Sequence, residues 1–431
     1  MLSIESPKRS ADKSQKNNKT YSYYAGYSLS FAERLIQHAP LDENAIIFDP
    51  WNGSGTTTLA ASLHNVESKG SDLNPVMIVV AKARMLRKLT SLSLIPIWTK
   101  IKAEAKKNSR VKSLDGDPLT DWFSDNGVTS VRLIENAIKS HLVPESSTPL
   151  LSPVSINNFS DIGAFFYVAL FRVVGNYLKP FKTSNPTWLR RAKEDDEKLD
   201  LNLEQLIRLL DVDIHGEIEN RKEDLTKTGF STANSELTLG SSEAVALADN
   251  SVDLVLTSPP YCTRIDYAVA TAAELAILGF HRKLGFAALR ESLMGTTTVP
   301  LFAPDIQANW GKTCVQLLRK IAAHKSVASK SYYLKNHIAY FSSLQKSISE
   351  INRVLKPDGI VSFVVQDSVY KDIHNDLPLI VMEMSDALGL RNFQRDDFRP
   401  GVSISSINSR SRLYQPSGFR PTESVVSFYK N

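Results

Sequence analysis

Two cysteines in 431 residues, Cys262 and Cys314, are too few for a disulfide framework or for a zinc site built mainly from thiolates. No metal is expected. Long hydrophobic runs are missing too. The most apolar stretch, Phe165–Leu178, is broken by Arg172 and falls short of the ~18–20 apolar residues that a membrane span needs. The start, MLSIESPKRS, lacks an apolar signal core, so a cytoplasmic protein with no membrane partner is expected. Residues 1–20 are polar and lysine-rich without periodicity, and read as a disordered basic tail. There is no internal repeat. What remains is globular in proportion, with 42% hydrophobic and 23% charged residues, enough to bury a sizeable core.

The net charge of +5 is a weak argument for a polyanionic partner, but its distribution says more. Lys82–Lys112 holds ten basic residues and one acid, Glu104. Glu194–Asp224 holds twelve acids and four bases. One acidic element on an otherwise basic chain could leave a face for nucleic acid, or the two stretches could be ordinary solvated helices.

Apolar runs of strand length alternate with helical periodicity. Ala45–Asp49, Lys69–Leu73, Glu236–Gly240, Val252–Thr257 and Gly359–Val365 read as strands. Helices are expected from Thr56, over Pro75–Leu89, over Asn336–Leu355 (stopped by an LKPDG turn) and across Leu377–Leu388. Leu390–Phe398 and Ser424–Tyr429 form a closing strand pair. The pattern predicts an α/β fold with a mostly parallel, doubly wound sheet and an antiparallel end. The core occupies 21–90 and 236–431. The largely helical 91–235 is too long for a loop and reads as an inserted subdomain, with a smaller insertion at about 270–335.

Two motifs carry chemistry. In the first, FDPWNGSGTTT (Phe48–Thr58), a strand runs through a two-glycine turn into a helix. Gly53 and Gly55 allow positive φ and close backbone approach. No lysine follows the glycines, and Thr58 stands where a third glycine would complete a dinucleotide fingerprint. Asp49 at the strand end repels phosphate and suits an ammonium group instead. Asp72, at the end of the next strand in GSDLNP, sits where an acid accepts ribose hydroxyls. A ligand with a ribose and an ammonium group but no phosphate is S-adenosylmethionine. In the second motif, SVDLVLTSPPY (Ser251–Tyr261), an apolar strand enters a loop stiffened by two prolines. Ser258 and the backbone carbonyls become fixed acceptors beside the flat face of Tyr261. That arrangement suits a planar group bearing an exocyclic amine.

DPWNGSGTT together with TSPPY resembles the DNA amino-methyltransferases, which act on cytosine N4 or adenine N6. The resemblance covers the sheet core, about half of the chain, and implies a Rossmann-like class I methyltransferase sheet with a large helical insertion. It implies S-adenosylmethionine as cofactor, with Asp49, Gly53, Gly55 and Thr56 at its methionine end and Asp72 at its ribose. Pro50, Trp51 and Asn74 complete that set. Tyr27 and Ser28, within YAGYSLSFAERLI, fall in the segment that closes over the methionine moiety. Ser241, Ser242 and Glu243 are open candidates for the adenine contact, because Ser241 stands where many members carry an acid. Ser258, Pro259, Pro260 and Tyr261 map to the target amine. Serine before the prolines points to cytosine N4, with adenine N6 as the alternative. An RNA amino-methyltransferase, a protein-glutamine methyltransferase or a catalytically silent nucleic-acid binder would be further readings. The order of the two motifs excludes the permuted arrangement.

The target base must be flipped out of the double-stranded DNA partner. No covalent intermediate is needed, and Cys262, outside any PC dipeptide, is no nucleophile. The expected recognition region is 91–235. Within it Lys179–Lys193 (KPFKTSNPTWLRRAK) interleaves Lys179, Lys182, Arg190 and Arg191 with Trp188. Arg264, Asp266 and Tyr267 follow the catalytic loop, and Arg410 and Arg412 lie between the last strands. A cognate restriction endonuclease is a further partner that the resemblance implies.

Overall fold

A computed structural model of the chain describes residues 4–7, 21, 26–86, 90–108, 116–143, 156–183, 188–224, 234–262, 265–280, 285–299, 303–399 and 419–431. Nine strands are found there: β1 (Ile46–Asp49), β2 (Glu67–Asp72), β3 (Ser235–Leu239), β4 (Val252–Thr257), β5 (Leu355–Gln366), β6 (Ser368–Tyr370), β7 (Ile373–Asn375), β8 (Arg391–Phe398) and β9 (Glu423–Tyr429). Seven of them make one sheet in the order β3-β2-β1-β4-β5-β9-β8, and β6 pairs only with β7. β3, β2, β1, β4 and β5 run parallel. β9 is antiparallel to both neighbours, β5 and β8. The antiparallel strand is thus last but one in the sheet, with β8 outside it. This is the Rossmann-like class I order. Its strand order reverses between β1 and β4, where open α/β sheets present a ligand crevice.

Alternation of side chains along the strands explains the layers. Ile47, Leu254, Leu256, Ile360, Val364 and Val425 point to one face. There they meet α1 (Leu29–His38) and α2 (Thr56–Leu63). Phe48, Val255, Val361, Phe363, Val365 and Val426 point to the other. They pack on helices Lys312–Ala323, Leu334–Val354 and Leu377–Asp386. The LKPDG segment makes the expected turn as a bulge within β5: Leu355 pairs with Val252 and Ile360 with Leu254, and the residues between loop out with Asp358 at φ +62°. Lys356 clamps Asp253 there at 2.8 Å, and Asp358 N–H donates to Lys430 O at 2.8 Å.

α3 (Pro75–Met85) starts on Pro75 with Asn74 as its cap and ends earlier than Leu89. Its residues Pro75–Ala83 are all buried, an apolar surface on every side of the helix. The insertion explains that burial. Helices α4 (Ser91–Lys107), α5 (Asp125–Leu142), α6 (Asp161–Tyr177) and α7 (Leu203–Asp224) share one continuous core with α3. Lys82 lies inside it, donating to Phe159 O at 2.9 Å and to Asn157 O. Burial pulls its pKa down to about 8.

The opposite charge runs of the sequence meet in the fold. Lys102 pairs with Asp211 at 2.8 Å and Lys106 with Glu204 at 3.0 Å, joining α4 to α7. Lys102 and Lys106 are therefore spent on the acidic helix, while Lys100 and Lys107 of the same run stay exposed. Residues 4–7 correct the tail expectation in part. Pro7 O accepts from Ser28 N at 2.9 Å, Glu5 pairs with Arg34 at 2.8 Å, and Ile4 packs against the α1–α2 core. Among the described residues, no helix is long and apolar enough to cross a membrane, and no group of three His, Cys, Asp or Glu could hold a metal ion.

Candidate active site

The carboxyl ends of β1, β2, β3 and β4 open into one cleft. Asp49 ends β1 and is 3% exposed. Its Oδ1 accepts from Thr257 Oγ1 at 2.6 Å and Trp51 N–H at 3.1 Å; its Oδ2 accepts from Thr57 Oγ1 at 2.5 Å and Tyr27 OH at 3.4 Å. Tyr27 OH also bonds Thr57 Oγ1. Both carboxylate oxygens are therefore held by protein donors. Burial pushes its pKa up to about 6, against the lowering by those hydrogen bonds.

Asp72 ends β2. It takes Gly53 N–H on Oδ2 at 2.9 Å and Asn74 N–H on Oδ1 at 2.8 Å. Each oxygen keeps a lone pair for a further donor. Burial raises this carboxyl to about 6 as well. The turn between the acids works because of its glycines. Gly53 and Gly55 have φ of +50° and +78°. A Cβ on Gly55 would lie 2.8 Å from Ala81 Cβ of α3. Arg84 of α3 holds the turn from outside, donating to Ser54 O at 2.6 Å. Inside the turn, Asn52 Nδ2 is buried without a partner among the described residues, a free donor in the cleft wall.

The second motif arrives on β4. Ser258, Pro259, Pro260 and Tyr261 line the same cleft. Tyr340 OH donates to Pro260 O at 2.8 Å, and Tyr261 N–H donates to Tyr267 OH at 3.3 Å. Tyr267 opens a short helix capped by Asp266, lines the cleft, and has its phenol pKa raised by burial. Asn74 ties the first turn to the short helices that follow the second motif, donating to Thr271 Oγ1 at 2.9 Å.

Of the residues singled out in the sequence, Tyr27, Asp49, Pro50, Trp51, Gly53, Thr56, Asp72, Asn74, Ser242 and Glu243 line the cleft with the SPPY loop. Gly55 backs onto α3. Ser28 caps α1, accepting from Phe31 N–H at 3.2 Å. Ser241 accepts from Glu243 N–H at 3.1 Å and shapes the turn after β3. Cys262 is a buried thiol. Asp266 is buried, pairing with Arg290 at 2.6 Å. In the basic hairpin, Lys179 and Lys182 are exposed and Trp188 is 38% exposed. Arg190 pairs with Glu197 at 2.7 Å and Arg191 lies 4.0 Å from Asp121. Arg264, Arg410 and Arg412 lie outside the described residues. Sequence reasoning missed Ser292, Leu293 and Met294, which come from the second insertion to close one wall. Nothing local in that stretch marks them, because Arg290 and Thr297 on Asp266 bring them there.

No family model matches the chain. It is 24% identical over 412 residues to the Type II methyltransferase M.AvaI of Nostoc sp., covering 88% of this chain and 80% of that protein. It is 23% identical over 361 residues to the Type II methyltransferase M.MvaI of Kocuria varians, covering 78% and 73%. A SAM-dependent methyltransferase from Methanosarcina mazei aligns over 92% of this chain and 96% of its own, at 11% identity and a TM-score of 0.28.

Proposed function

We propose that this relative of the Type II methyltransferases is a site-specific DNA methyltransferase, moving a methyl group from S-adenosylmethionine to the exocyclic amine of a flipped base, with cytosine N4 favoured. One observation carries the reading. The two acid-ended strands and the SPPY loop converge on one cleft, joined by the Thr257–Asp49 hydrogen bond. The residues fit the cofactor: unspent lone pairs on Asp72 suit ribose hydroxyls, and the Asp49 charge suits an ammonium group. Asn52 Nδ2 is a donor still wanting an acceptor. When bound, S-adenosylmethionine supplies an electrophilic methyl group on a positively charged sulfur.

The chain's own part is positioning. The rigid loop aims Ser258 Oγ and carbonyl oxygens at the amine's hydrogens, which turns the nitrogen lone pair toward the cofactor side of the cleft. Tyr261 offers a stacking face. Tyr340 and Tyr267 hold that loop from two sides. The serine favours N4, by the resemblance. The insertion, with Lys179, Lys182, Trp188 and Arg191, is proposed to face the duplex.

The test is transfer from tritiated S-adenosylmethionine to duplex DNA, with structured RNA in parallel, and mass spectrometry of the digested nucleosides. N4-methylcytosine supports the reading. N6-methyladenine overturns the base assignment, and label in RNA alone overturns the substrate. Ser258→Ala should lower kcat roughly tenfold to a hundredfold, the worth of a hydrogen bond to a group gaining charge. Cofactor affinity should hold. An unchanged kcat would remove Ser258 from the mechanism.

The raised acids also set a pH dependence. Cofactor binding needs them ionised, and both protonate near 6 in the free protein. Between pH 7 and pH 5 the calorimetric Kd should rise about tenfold for each acid that the ligand needs charged. A flat profile would rule out their charge as a binding determinant.

A further inference from the structure

Gly311–Lys335 contains six basic residues, Lys312, Arg319, Lys320, Lys325, Lys330 and Lys335, and no acid. It lies outside the helical insertion. On the helix Lys312–Ala323 the apolar Cys314, Leu317, Leu318 and Ile321 are buried, which turns Lys312, Arg319 and Lys320 outward. Lys325 and Lys330 follow, also exposed, and Lys335 is half-buried. Among the described residues, none of the six is in an ion pair. The acids packed nearby are used otherwise. Glu383 accepts from Thr313 N–H and Oγ1 at 2.7 and 2.8 Å, and Asp372 bonds His324 at 3.1 Å. In the chain's other basic runs, by contrast, Lys102, Lys106 and Arg190 are each paired with an acid, while Lys100, Lys107, Lys179 and Lys182 stay exposed.

The segment is also fastened to the candidate active site. Tyr332 OH donates to Thr297 O at 3.0 Å, and Thr297 Oγ1 donates to Asp266 just after the SPPY loop. The helix that continues it carries Tyr340, whose hydroxyl holds Pro260 O.

We infer that the exposed face of 312–330 holds the phosphate backbone of the duplex whose base enters the cleft. This rests on the methyltransferase reading above. Unpaired exposed cations fixed to the catalytic loop would release counterions on binding DNA and set its register without reading sequence.

The test is the full-length Arg319→Ala/Lys320→Ala/Lys325→Ala variant, changed only at exposed positions. Its affinity for a fluorescent duplex is measured by anisotropy from 50 to 200 mM KCl, with S-adenosylhomocysteine present. The salt slope of log K should fall by about 2–3, at ~0.9 for each phosphate that is no longer neutralised. Affinity at 100 mM should fall at least tenfold, with cofactor affinity unaltered. Wild-type slope and affinity in the variant would overturn the inference while leaving the enzyme reading intact. So would a loss seen with duplex RNA of the same length and not with DNA. A wild-type protein with no affinity for duplex DNA would overturn both.

Discussion

Replacing Asp49 by asparagine is expected to lower methyl transfer at least a hundredfold while leaving the melting temperature at pH 8 no lower than that of the wild type. Function and stability pull apart here because the carboxylate is held where it does not want to be charged. Its pKa stands at about 6 in the folded chain, against 3.8 for a free aspartate. That difference is worth roughly 3 kcal/mol between the two protonation states. A raised folded-state value means that the folded chain holds the proton more tightly. The stabilisation is present below about pH 4 and is lost as pH rises through about 6. At pH 8 the buried charge is a pure cost, and asparagine removes it while its carbonyl can still accept from Thr257 and the Trp51 amide. What asparagine cannot supply is the negative charge at the end of the cleft proposed to take the ammonium group. Thermal unfolding and calorimetry on the same preparation check both halves. Retained cofactor affinity in the variant would sink the role given to Asp49. A large drop in melting temperature would sink the strain argument.

Local chemistry was legible and distant pairing was not. The strand ending on Asp49, the turn through Gly53 and Gly55, and the proline-locked loop after Thr257 are each written in consecutive residues. Their convergence follows from parallel strand order alone. β4 was readable to the residue because an apolar run stops at a proline pair. β9 was harder. Ser424–Tyr429 reads as a strand beside Leu390–Phe398, but nothing in it says that β9 slots between β5 and β8, since that depends on which apolar faces remain to be covered. Charge misled for the same reason. Lys102 and Asp211 stand more than a hundred residues apart, so a neutralised pair looked like two free surfaces. The run at 312–335, read from the sequence only as part of the smaller insertion, stands out once its exposure and lack of acid partners are seen together. Tyr340 and Met294 are ordinary core residues by sequence. Met294 reaches the site through the packing of the second insertion, and Tyr340 from the helix Leu334–Val354 that covers the sheet.

The largest stability effect is expected at Arg132→Ala, at about 3–5 kcal/mol. Arg132 is 8% exposed in the core of the helical insertion. Nε and Nη2 grip Asp117 at 2.7 and 3.0 Å, and Nη1 lies 3.8 Å from Glu135, which in turn accepts from Tyr167 OH at 2.7 Å. Burial opposes the guanidinium charge, yet the pairing with Asp117 outweighs it and raises the arginine pKa. Alanine would leave Asp117 and Glu135 at the edge of an apolar core without a cation. It would also free two carbonyls, Ala276 O and Ile277 O, that Arg132 now holds at 2.8 and 2.7 Å. Those carbonyls end the short helix Ala272–Ile277, whose other end meets Asn74 of the cofactor turn through Thr271. Urea denaturation measures the loss, which is a large share of the ~5–15 kcal/mol that holds a domain folded. Arg132→Lys should recover little of it, because a single ammonium cannot reproduce the fork to Asp117 and both carbonyls. Arg132→Met paired with Asp117→Asn should fare better than Arg132→Ala, since it removes one stranded charge along with its partner. If Arg132→Ala left the denaturation midpoint unchanged, the grip of Arg132 on Asp117, Glu135 and the two carbonyls would contribute nothing to stability.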